Sequence, residues 1–112
     1  MKITAEYIKE LIKQGEHSSV EMKKCKKSVP DSVWETYSAF ANTRGGVILL
    51  GVYENKEKPH AERFEITGVI DSNKVVTDFF NQLHNPQKVN RSALVDSDVR
   101  IVKVDGMDVI YI

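Results

Sequence analysis

A single cysteine, Cys25, occurs in 112 residues, so the chain can build neither an internal disulfide nor a cysteine-rich zinc site. No apolar run approaches the roughly 20 residues that a membrane helix needs. Met1-Lys2-Ile3-Thr4-Ala5-Glu6 has no apolar core of a secretion signal. These absences predict a reducing cytoplasm and no membrane partner. An excess of charge is also missing, because 16 Lys plus Arg balance 16 Asp plus Glu. Attraction to nucleic acid would have to come from local clustering. His17, His60 and His84 show no i, i+4 pair of the kind that holds zinc on a helix. What is present is ordinary for a globular protein, with 41% apolar and 29% charged residues, and the length suits one domain with one core.

The hydrophobic periodicity predicts an α/β (α+β) fold. Tyr7, Ile8, Leu11 and Ile12 recur at helical spacing over residues 5–14, with Thr4 placed to cap them. Val20 and Met22 alternate with polar neighbours as in a half-buried strand. Val33, Trp34, Tyr37, Phe40 and Ala41 form the stripe of a second helix. Residues 47–52 are a continuous apolar run, as expected of a central strand covered on both faces. Residues 64–69 suggest a short strand. Asp71 or Ser72 caps a third helix carrying Val75, Val76, Phe79, Phe80 and Leu83, and Asn85-Pro86 stops it. Asp105-Gly106 between two apolar runs predicts a hairpin. The order is strand, helix, strand, helix, hairpin, with an additional helix in front, and one mixed sheet packed by helices accommodates it. Trp34, Phe40, Leu49, Phe79 and Phe80 are expected in one core cluster. Residues 1–112 read as a single domain. Because the chain stops inside the apolar run that ends at Ile112, it is expected to be a fragment of a longer protein.

Three groups of residues carry possible chemistry. Lys23, Lys24, Lys26 and Lys27 place four lysines within five residues, joined by Arg44, Lys88 and Arg91 elsewhere. Such a run suits phosphate contact, although charged runs are usually plain solvated surface. Glu21 and Lys23 leave the same strand face, and Glu16 precedes them in a turn. Two carboxylates and a lysine can hold a hard divalent ion, but an ordinary Glu-Lys surface pair explains the same spacing. Asn42-Thr43-Arg44-Gly45-Gly46 connects helix to strand. Its glycines fit a tight turn better than a phosphate loop, because the turn lies at the wrong end of the helix dipole. No exposed aromatic pair stands out for base stacking. Cys25 reads as a small, partly buried side chain rather than a nucleophile.

Gly15-Glu16, then Glu21-Met22-Lys23 after four residues, resembles a Gly-Glu…Glu-Phe-Lys signature, with Met22 in place of Phe. The stretch from Ala39-Phe40-Ala41-Asn42-Thr43-Arg44-Gly45-Gly46 through Gly51-Val52 resembles the diagnostic Ala-Phe-Ala-Asn-Thr-x-Gly-Gly…Gly-Val element of the Schlafen-type Alba-like domain. Ile66-Thr67-Gly68-Val69 and Asn85-Pro86-Gln87-Lys88-Val89 are similar to further elements of that family. The resemblance implies an Alba-like fold and association with nucleic acid, DNA above all. In bacteria such a domain is often the first module of a transcriptional regulator. Some relatives are metal-dependent ribonucleases using two glutamates and a later acid. Those positions fall on Glu16, Glu21 and, after Gly51-Val52, Glu54.

The leading expectation is a DNA- or RNA-binding module of a transcriptional regulator, with no cofactor required. Its contacts would come from Lys23, Lys24, Lys26, Lys27, Arg44 and Lys88, with Gly45 and Gly46 shaping a turn. The alternative is a nuclease using Mg or Mn held by Glu16, Glu21 and Glu54, with Lys23 assisting. A third reading is a non-catalytic scaffold that forms a homodimer or positions neighbouring domains absent from this chain, with any nucleic acid bound elsewhere.

Overall fold

The first helix, α1 (Ala5–Gln14), starts where Thr4 accepts a hydrogen bond from the Tyr7 N–H at 3.1 Å. Its periodic residues Ile8 and Leu11 are buried. The computed structural model describes residues 3–15, 19–41, 45–59, 62–83 and 99–112, and the backbone only at residue 41. Next come β1 (Val20–Lys23), α2 (Ser32–Ala41), β2 (Val47–Leu50), β3 (Val52–Glu54) and β4 (Phe64–Ile66). The order closes with α3 (Ser72–Leu83), β5 (Arg100–Val104) and β6 (Met107–Tyr111). Asp71 caps α3 by accepting from the Lys74 N–H, which leaves the Ser72 hydroxyl to donate to Asp108 at 2.7 Å. Asn85-Pro86, the expected stop of this helix, lies outside the described residues. Asp105 and Gly106 both have positive φ, 52° and 81°, as the tight β5–β6 turn requires.

Four strands form a mixed sheet in the order β1-β2-β6-β5. β1 and β2 run parallel, and the other neighbours are antiparallel. The expected order of elements is present, and the short strand expected within residues 64–69 is β4, but it pairs with β3 in a separate two-stranded ribbon rather than joining one sheet.

That ribbon corrects the reading of residues 47–52 as one strand. Gly51 has φ +101°, and its N–H bonds the Lys23 carbonyl while its own carbonyl accepts from the N–H groups of Thr67 and Gly68. A Cβ there would lie 3.1 Å from the Asp108 carbonyl oxygen. The chain therefore leaves the main sheet at Gly51 and starts the ribbon at Val52.

Both faces of the main sheet are covered. Ile48, Leu50 and Ile110 pack with Trp34, Tyr37, Val75, Phe79 and Leu83 under α2 and α3. Trp34 stacks on Phe79 at 5.1 Å between centroids, and its indole N–H donates to Gln82. Phe40 and Phe80 are partly buried against this cluster. Leu49 does not belong to it. It faces the other way and packs with Ile8, Leu11, Met22, Val52, Val104 and Val109, beneath α1 and the ribbon. The correction follows from the two-residue side-chain period of a strand, which sends Leu49 opposite to Ile48 and Leu50.

Candidate nucleic-acid interface

The basic run begins at the last residue of β1, and the chain after Lys23 is irregular as far as α2. Two apolar side chains pin this segment. Cys25 and Val29 are both buried in the cluster under α2 and α3. The backbone is tied at three points: the Lys23 carbonyl to the Gly51 N–H, the Lys26 carbonyl to the Ile70 N–H at 2.8 Å, and the Lys27 carbonyl to the Lys74 ammonium at 3.5 Å. Lys24, Lys26 and Lys27 are exposed around these anchors. Among the described residues no carboxylate forms an ion pair with any of the three. The result is a strap pinned at several points that presents three exposed cationic heads, a geometry that suits a phosphate chain without dictating a base sequence.

Two of the three heads have weak local partners. The Lys26 ammonium reaches the Thr67 carbonyl at 3.3 Å. The Lys24 ammonium lies 5.3 Å from the centre of the Tyr53 ring. Tyr53 is 39% exposed, on the outward face of β3, between the buried Val52 and the half-buried Glu54. Inspection of the sequence missed this aromatic because it directly follows the long apolar run. The signal that could have found it is the switch to Tyr53-Glu54-Asn55, where strand alternation turns every second side chain outward.

Lys23 differs from its neighbours. Its side chain is only 14% exposed and sits 3.7 Å from Glu21 on the same strand face. Glu54 faces Arg63 at 3.9 Å across the start of the ribbon. Glu16, Arg44 and Lys88 lie outside the described residues, as do Arg91, His17, His60 and His84. Among the described residues no three acidic, histidine or cysteine side chains converge to hold a metal ion. Those residues therefore do not fit a metal centre on their own. Gly45 has φ +88° with open space around it, whereas a Cβ on Gly46 would meet the Phe40 ring at 2.7 Å and the Ser19 carbonyl at 2.8 Å. The turn thus needs backbone freedom at one glycine and the lack of a side chain at the next.

Burial pushes the Cys25 thiol up to about 11, and its Sγ approaches the Ser28 carbonyl at 3.2 Å. A thiol held protonated in this way is a packing group rather than a nucleophile. A recess of about 270 Å³ opens elsewhere, beside Gly68, Ile70, Lys103, Met107 and Asp108. Its carboxylate is already engaged by Ser72 and Lys103.

The family model described as Schlafen, AlbA_2 matches residues 16–112. The chain belongs to the Schlafen AlbA_2 family. Its fold is also that of a solved structure, the N-terminal domain of a RecG-related protein from Nitrosomonas europaea, determined by NMR in solution. That likeness has a TM-score of 0.73 at 24% identity and covers 99% of this chain and 72% of the other. No curated protein matches. Among the described residues of this Schlafen AlbA_2 domain, no helix is long and apolar enough to cross a membrane.

Proposed function

We propose that this domain is a non-catalytic nucleic-acid-binding module, serving a regulatory protein, that grips phosphates through Lys24, Lys26 and Lys27. The observation that carries the reading is the strap itself. Three exposed lysines, with no carboxylate paired to them among the described residues, project from a backbone pinned by Cys25 and Val29. Membership of the Schlafen AlbA_2 family supports it. So does the fold shared with a domain of a protein named for its relation to the DNA helicase RecG. The binding needs no metal, because lysine heads neutralise phosphates directly.

The test is fluorescence anisotropy with DNA and RNA oligonucleotides across a salt series. With about three phosphates neutralised, affinity should fall roughly twenty- to fortyfold between about 50 and 200 mM salt. Chelating divalent ions should leave it unchanged. No binding at low salt, or binding indifferent to salt, would overturn the reading. A chain that binds no oligonucleotide yet sediments as a dimer would instead be a scaffold.

A further inference from the structure

We propose that Tyr53 is a stacking platform for an unpaired base, so that the ligand of this surface is single-stranded nucleic acid rather than a closed duplex. The inference rests on the phosphate-binding reading and adds to it a reason for preferring one form of the ligand. Tyr53 is a large exposed aromatic on the ribbon strand β3. The bond from the Gly51 N–H to the Lys23 carbonyl brings the start of β3 beside the end of β1, so residue 53 and residue 24 become neighbours. The ring therefore stands beside Lys24, the first of the three lysines proposed to grip phosphates. A phosphate chain lying along Lys24, Lys26 and Lys27 would carry its bases past this ring.

The exposed ring carries the Lys24 ammonium 5.3 Å from its centre. An exposed lysine loses little by exchanging a ring for a phosphate, and the vacated π-face is then open to a base. A paired base cannot take that position, because its faces are buried in the helical stack. Glu65, directly across the ribbon from Tyr53 and also exposed, disfavours a phosphate at this spot but accepts hydrogen bonds from base amino groups. Charge and shape thus divide the surface into a phosphate track on the strap and a base position on the ribbon. This division is the general plan of single-strand binding surfaces.

The experiment compares three labelled ligands of about twelve nucleotides by anisotropy at constant low salt. They are a single strand, its duplex, and the same strand with central abasic sites. The single strand should bind more tightly than the duplex. Tyr53→Ala should weaken single-strand binding on the order of tenfold, while Tyr53→Phe keeps it. Wild type should lose a similar factor on the abasic strand, and Tyr53→Ala should add no further loss there, because both changes remove the same contact. The abasic arm needs no variant, so it decides the question even if Tyr53→Ala misfolds. Equal affinity of wild type for intact and abasic strands would overturn the platform while salt-dependent binding left the phosphate grip standing. Failure of wild type to bind any of the three would overturn both.

Discussion

Cys25 sits in the middle of the most basic run of the chain, and its burial decides how that run presents itself. Flanking lysines would lower a thiol's pKa if the thiol shared their solvent, but burial dominates and raises it from 9.0 to about 11. The sign of the linkage follows. Between pH 9 and about 11 the unfolded chain loses the thiol proton while the folded chain keeps it, so stability is full below pH 9 and falls as pH rises through 11. Tyr111, raised from 10.0 to about 12 by burial and then by Tyr7, acts in the same direction over a higher window. Urea denaturation should therefore show roughly 2 kcal/mol lost between about pH 8 and 10.5, and Cys25→Ala should shrink that loss. At neutral pH a thiol reagent should label Cys25 only after denaturant is added. Rapid labelling of the native chain would mean that the strap is not anchored as described.

Secondary structure that depends on local chemistry was readable from the residues. The Thr4 cap and the apolar stripe gave α1 its bounds, and Asp105-Gly106 announced the hairpin. Features that depend on where a strand goes were not readable. Residues 47–52 are apolar throughout, so no change of period marks Gly51 as the point where the chain changes sheet, and the clusters to which Leu49 and Ile48 belong stay merged. For the same reason the lysine run was visible but not its division into a covered Lys23 and an exposed remainder. The turn at Gly45-Gly46 allows a test of what each glycine does. Gly45→Ala meets open space and bears only the strain of φ +88°, about 1 kcal/mol. Gly46→Ala forces a methyl against the Phe40 ring and the Ser19 carbonyl, which is also the acceptor for the Val47 N–H that leads into the β1–β2 pairing. Its cost should be larger, roughly 1–3 kcal/mol, seen as the lower of the two melting temperatures. Equal melting temperatures would show that Phe40 and the β1–β2 edge yield freely.

With 16 basic and 16 acidic residues, the domain as a whole offers an anion no net attraction. If it binds nucleic acid, affinity must depend on where positive charge sits and not on how much there is. Two triple variants separate these possibilities. Replacing Lys24, Lys26 and Lys27 by Gln removes three positive charges from the strap. Replacing Lys13, Lys56 and Lys58, all exposed, removes the same three from α1 and the turn after β3. Both variants therefore carry the same altered net charge. Phosphate contacts release counterions one by one, so each lysine lost from a true contact should flatten the dependence of log affinity on log salt by about 0.7 for a single strand. The strap variant should lose most of its salt dependence, and by a similar factor on every sequence tried, because backbone contacts carry no base code. The second variant should keep the wild-type slope, with at most a small uniform loss from its altered long-range field. Equal losses in the two variants would show that binding follows total charge, and the strap would then be ordinary solvated surface.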